Sequence, residues 1–228
     1  MYYLLGLFVI KSLKEHHRWN ETLFLGIVSV LCFGFSIFRF FYTKEGLFLF
    51  LNWNLFLAFV PWALGTFAII KPKLQTSKFS VLILLSFWLL FFPNAPYILT
   101  DLFHLHDSHS IPMWYDLILI LFFAWTGLLF GFMSLWDIER VLNKSLSSFW
   151  ISLFSTLLLF IGSFGIYLGR YLRWNSWDIV RDPFGLMQSI GDRFINPFEY
   201  KGGWGMVIFM GLLLNMFYWS FRMIKRRS

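Results

Sequence analysis

Six apolar stretches of about 20 residues alternate with short polar breaks along the chain, at 22–42, 47–70, 79–100, 113–136, 149–169 and 204–224. A helix rises ~1.5 Å per residue, so each stretch can cross a hydrocarbon core of ~30 Å. The pattern predicts an all-α fold: a polytopic membrane helix bundle of six transmembrane helices plus a short N-terminal interfacial or re-entrant segment. That segment, YYLLGLFVI, precedes its positive charges rather than following them, unlike a secretory signal peptide. With about 12 residues before Lys14 it is too short for a seventh span. Residues 1–20 therefore read as an N-terminal cytoplasmic or interfacial segment and 21–228 as one six-helix transmembrane domain. Most connections leave no room for a soluble domain. The exception is an extracytoplasmic loop at 170–203, where about 34 residues separate the last two spans.

Composition agrees, since 58% of the 228 residues are apolar and only 14% charged, against about a quarter charged in soluble domains. The net charge of +7 does not point to nucleic acid, because the basic residues flank hydrophobic spans instead of forming a stripe on a soluble face. They read instead as orientation signals. The N-terminal segment, the second and fourth loops and the C-terminal tail hold twelve of the nineteen Lys and Arg residues, whereas the alternate loops hold eight of the twelve acidic residues. The division is +8 against −1, which predicts cytoplasmic termini and outward-facing third and fifth loops. The single cysteine, Cys32, lies in the first span and reads as a small core residue.

The third span ends in FFPNAPYILTDLFHLHD, residues 91–107. Helix from Phe79 to Phe92 covers only ~21 Å, so Pro93 and Pro96 are expected to break the span before it clears the outer leaflet. Backbone groups freed inside a membrane are tolerated where they are buried in protein or face a wet cavity. Other spans put polar residues at the same depth: Asn52 and Asn54, Asp116, and Tyr167 with Arg170. Ser163, Tyr167, Arg170 and Trp174 share one helical face, beside a strip of Gly162, Gly165 and Gly169. Gly127 and Gly131 are expected to permit close packing of the fourth span. In the same sequence, Trp174 and Trp177 also suit an aromatic belt, and Arg170 and Arg173 suit snorkelling anchors.

Asp101, His104, His106, Asp107 and His109 are residue types that bind zinc, but their spacing is not diagnostic and short histidine-containing loops are ordinarily solvated. No metal site is assigned, and the sequence identifies no cofactor. Without a metal, Asp101 or Asp116 would act as a base with His104 as acid or orienting partner. Arg170 and Arg173 would then grip an anionic group such as a lipid phosphate. Mid-membrane positions are nearly free of ionisable groups, which counts against proton-coupled transport.

Together, NLFLAFVPW, FFPNAPYILTDLFHL, PMWYDL and GIYLGRYLRWNSWD resemble the bacterial membrane family catalogued as domain of unknown function 1361. The resemblance implies a multi-pass protein of a bacterial plasma membrane, without an established activity. Its signature residues correspond to Asn94, Pro96, Tyr97, Thr100, Asp101, His104, Trp114, Tyr115, Asp116, Arg170, Arg173, Trp174, Asn175, Trp177 and Asp178. The expected site therefore has Asp101, His104 and Asp116 in catalytic roles. Asn94, Tyr97, Arg170, Arg173, Trp174, Asn175, Trp177 and Asp178 would bind substrate. The expected partners are the lipid bilayer and an anionic lipid or envelope precursor. The alternatives are a structural or accessory subunit of a membrane complex and, behind it, a transporter.

The topology is tested by cysteines introduced at Ser108, Ser189 and Ser145. An impermeant thiol reagent applied to intact cells is expected to label the first two and spare the third; labelling of Ser145 alone overturns the orientation.

Overall fold

Long-range ion pairing between arginine and aspartate organises the first part of the chain. The computed structural model describes residues 10–105 and 110–227, which fall into two compact units, one up to Ser145 and one from Leu146. Residues 1–9, which include all of the N-terminal stretch YYLLGLFVI except Ile10, and the His106, Asp107 and His109 positions lie outside the described residues. Among the described residues six helices are long and apolar enough to cross a membrane, and the chain is a multi-pass, all-helical membrane protein.

The first unit contains α1 (Trp19–Thr43), α2 (Phe50–Ile70), α3 (Lys78–Phe91), the single turn α4 (Asn94–Tyr97) and α5 (Met113–Leu142). A helical turn at 10–15 precedes α1 and ends with His17 at φ 55°, where Arg18 N–H bonds Leu13 C=O at 2.8 Å and His17 N–H bonds Lys14 C=O at 3.1 Å. This is a Schellman stop, and it turns the chain so that Arg18 enters the bundle. Arg18 donates from both terminal nitrogens to Asp137, at 2.8 and 2.7 Å, and to Thr66 at 2.8 Å. Glu21 approaches the same guanidinium at 2.7 Å and accepts from Trp62 Nε1 at 2.9 Å. At the other end of the same two helices, Arg39 Nε donates to Asp116 at 2.6 Å and its Nη2 at 3.1 Å. Helices α1 and α5 are thus antiparallel and tied at both ends. The sequence pattern assigned Arg18 and Arg39 to the flanks of the first span; both are buried in ion pairs instead.

The two prolines break the third span as expected. Regular helix stops at Phe91, α4 makes one turn, and a 3₁₀ segment runs from Ile98 to His104. The groups displaced by Pro96 can be followed. Pro96 has no N–H for Phe92 C=O, which accepts from Ala95 N–H at 3.1 Å instead. Ala95 is thereby withdrawn from Phe91 C=O, and the Asn94 side chain donates there at 2.9 Å. The turn seats on α5 because Gly127 and Gly131 leave space: a Cβ built on Gly127 would stand 2.7 Å from Ala95 C=O and 2.9 Å from Ile98 Cδ1. On Gly131 it would stand 2.9 Å from Ala95 Cβ. Cys32 is fully buried and its thiol meets Thr126 Oγ1 at 3.4 Å, a core position as expected.

The second unit contains α6 (Ser148–Tyr171), the single turn α7 (Asp178–Arg181), α8 (Pro183–Ile195) and α9 (Lys201–Arg227). Helices α6 and α9 pack closely: Ser163 Oγ donates to Val207 C=O at 2.9 Å, and a Cβ on Gly203 would come within 2.5 Å of the Tyr167 ring. The polar face formed by Ser163 and Tyr167 is therefore spent partly on helix packing. Phe164 stacks on Trp204, and Phe194 of α8 joins both rings at 5.6 and 5.1 Å.

Gly127→Val is expected to push the proline turn off α5 and lower the melting temperature in detergent, since overpacking a core costs ~1 to 3 kcal/mol. Gly26→Ala, where a Cβ meets nothing within 4 Å, is the matched control and is expected to leave the melting temperature unchanged or slightly raised. Equal melting temperatures for the two variants would show that the turn does not depend on this contact.

Candidate functional site

The 3₁₀ segment, the start of α2, the end of α1 and the start of α5 converge at one end of the first unit. Asp101 is 1% exposed, and its Oδ2 accepts from Asn54 Nδ2 at 2.9 Å. Thr100 is buried beside it, its hydroxyl donating to Tyr97 C=O at 2.7 Å. His104 is half-buried and sets its ring against Phe50 at 5.5 Å, edge to face. In the first turn of α2, the Asn52 side chain donates to Ser36 Oγ of α1 at 2.9 Å. Of the two asparagines expected at the depth of the proline break, Asn54 thus bonds Asp101, whereas Asn52 bonds α1.

Asp116 and Arg39, both side chains 1% exposed, occupy the same end. The Arg39 guanidinium also lies over the Phe48 ring at 4.6 Å and stands 4.0 Å from Glu45. Both Asp116 oxygens accept from Arg39, so this carboxylate enters any chemistry as half of an ion pair. Tyr115 bonds Phe35 C=O through its hydroxyl at 2.9 Å, and Trp114 is exposed. Arg39 was absent from the sequence-based site because its charge was assigned by loop position. A signal was available: Arg18 and Arg39 are 21 residues apart, as are Asp116 and Asp137.

In the second unit Arg170 is half-buried in the last turn of α6 and Arg173 is exposed, with φ 59°. This left-handed residue lets Trp174 N–H return to Leu168 C=O at 3.1 Å and swings the WNSWD segment away from the helix axis. Asp178 then accepts from Asn175 N–H at 2.7 Å while its own N–H bonds Asn175 C=O at 3.0 Å, closing a tight turn ahead of α7. Trp177 remains exposed and Trp174 half-buried. Further along, the Tyr200 hydroxyl donates to Asp192 at 2.5 Å and Asn196 donates at 3.0 Å. These bonds hold the Asp192 carboxyl below its ordinary range, and the same Asp192 contact raises the Tyr200 phenol.

The residues expected to bind substrate thus divide by what their side chains touch. Asn94 and Asp178 bond nearby backbone, and Asn175 Nδ2 reaches Asp178 at 3.3 Å. Tyr97 is half-buried, while Arg173 and Trp177 present their side chains at the surface. Among the described residues no three His, Cys, Asp or Glu side chains form a metal-binding group.

A family model described as "Protein of unknown function (DUF1361)" matches residues 53–217. The chain belongs to this family. The DUF1361 match takes in Asn54, the proline turn, Asp101, His104, Asp116, Asp137, Arg170 and the WNSWD segment, but begins after Arg18 and Arg39. No curated protein and no solved structure matches the chain.

A double-mutant cycle tests the Arg39–Asp116 pair. Asp116→Leu and Arg39→Met are each expected to cost ~3 to 5 kcal/mol by stranding the other's buried charge, whereas the two combined are expected to recover most of that loss. Unfolding of each purified variant followed in detergent gives the measurement; additive losses would show that the two side chains are not coupled.

Proposed function

We propose that the chain is a membrane-embedded enzyme or binding protein for an anionic envelope substrate, a lipid headgroup or lipid-linked precursor. It would act at the extracytoplasmic face of a bacterial plasma membrane, with both termini in the cytoplasm. The observation that carries this reading is the proline-broken third span, which holds Asp101 buried beside Asn54 in a seven-residue 3₁₀ segment. Runs of 3₁₀ helix longer than three or four residues are uncommon, and a 3₁₀ stretch within a span often marks a functional hinge. The +8 against −1 charge division supports the outward orientation of this end.

Asp101 is the better base than Asp116, because Asp116 already neutralises Arg39 through both oxygens. His104, three residues along, is the acid or orienting partner. Arg170 and Arg173 are the candidate groups for the anion, since guanidinium matches phosphate oxygens bidentately. Trp174 and Trp177 suit the headgroup depth at which indole rings collect.

Complementation of a deletion strain tests the reading, with comparative lipid analysis of that strain to identify the substrate. Asp101→Asn preserves shape and removes charge and basicity; it is expected to abolish complementation while abundance and topology hold. Arg170→Lys keeps the charge but loses the planar fork and is expected to impair it. Full complementation by both variants would overturn the enzymatic reading and favour an accessory role.

A further inference from the structure

Helix α8 carries an apolar strip that its own unit leaves uncovered. Phe184, Met187 and Ile195 lie on one side of the helix, and Phe198 follows just past its end. Phe184 is 84% exposed, Met187 70%, Ile195 78% and Phe198 81%. The opposite side holds polar groups already engaged with one another: Ser189 C=O accepts from Arg193, and Asp192 accepts from Asn196 and Tyr200. Contiguous exposed apolar surface of this kind marks an interaction site.

Its position says what covers it. Helix α8 lies in the connection between α6 and α9, each long and apolar enough to cross a membrane, and α9 begins six residues after Ile195. Phe194 and the Trp204 Nε1 bond to Arg193 C=O, at 3.2 Å, fasten α8 to Phe164 of α6 and to the first turn of α9. Helix α9 itself exposes Phe209 and Met216 along a span apolar and long enough to cross a membrane. Cations stand over aromatic rings next to the strip: Lys201 Nζ over Phe198 at 5.8 Å, and Arg193 over Tyr200 at 4.5 Å. That is the arrangement of side chains whose apolar stems lie in acyl chains while their charges reach the headgroups.

We infer that α8 lies in the plane of the membrane, with Phe184, Met187, Ile195 and Phe198 inserted among the acyl chains of the adjoining leaflet. The Ser189, Asp192 and Arg193 side stays in the headgroup layer. Helices of this kind sink ~5 to 10 Å below the headgroups. From Asp178 to Lys201 four acidic residues face three basic ones, so the insertion is driven by apolar burial and not by anionic lipid. This holds whichever way the chain crosses the membrane and does not rest on the function proposed above.

The full chain, with Cys32→Ala, is reconstituted in phosphatidylcholine vesicles. A spin label is carried on one cysteine at a time, from Phe184→Cys, Met187→Cys, Phe198→Cys or Ser189→Cys. Collision rates with oxygen, which partitions into acyl chains, and with a water-soluble nickel chelate report depth. The oxygen-to-nickel ratio is expected to be several-fold higher at the three strip positions than at Ser189, and unchanged when phosphatidylglycerol is added. Equal nickel access at all four positions overturns the inference by placing the strip in water. Shielding of the strip from both reagents overturns it in favour of a protein partner or a second copy. A high ratio that appears only with phosphatidylglycerol overturns it by making the attachment electrostatic.

Discussion

Two buried arginine–aspartate pairs, separated by one membrane thickness, hold the first unit in register. The 21-residue interval between Arg18 and Arg39, repeated between Asp116 and Asp137, corresponds to ~31 Å of helix and matches a hydrocarbon core of ~30 Å. Charges this deeply buried are tolerated only when paired and hydrogen-bonded, so neither helix can slide by a turn without stranding four charges at once. Helix α2 is fitted to that arrangement. Its Thr66 accepts from Arg18, and its Gly65 leaves room for Asp137, whose Cβ would lie 3.2 Å from a side chain there.

With α1 and α5 fixed, the glycines of α5 become a seat for the proline turn, and the turn determines where Asp101 goes. Gly127 and Gly131 lie one helical turn apart on the face of α5 that receives Ala95 and Ile98. The polar end of the unit is thus a consequence of close backbone approach on one helix and missing N–H groups on its neighbour. Of the six apolar helices α5 is the most buried, as befits the element that pairs with α1, packs on α2 and receives the turn.

Much of this was legible from the chain alone, and the reasons differ by feature. Span positions follow from the length of apolar runs, and the break at Pro93 and Pro96 from the absence of two backbone donors. The close packing at Gly127 and Gly131 follows from the absence of side chains. These are local properties. Arg18 and Arg39 were read as flanking charges because counting by loop treats each charge separately, whereas their partners lie 119 and 77 residues away. The candidate site was legible only as a list of polar residue types. Asn94 and Asp178 are as useful for satisfying displaced backbone groups as for gripping a ligand, and residue type alone does not separate the two uses. Arg173 illustrates the same limit: its left-handed backbone gives it a structural duty that its charge does not reveal.

The distance in sequence between paired charges also imposes an order on biogenesis. Helix α1 leaves the ribosome with Arg39 in place, and Asp116 follows only 77 residues later. At ~5 to 20 residues per second, that interval lasts roughly 4 to 15 s. During this time the first span must reside in or beside the translocon without the buried carboxylate that grips Arg39 in the folded unit, with only Glu45, six residues on, as a nearby counter-charge. The location of Arg39 four residues from the end of α1 limits the penalty, because a long side chain near a helix end can reach the interface. Integration of this protein is consequently a two-stage event, in which the first helix is threaded early and locked only when the fourth apolar helix arrives.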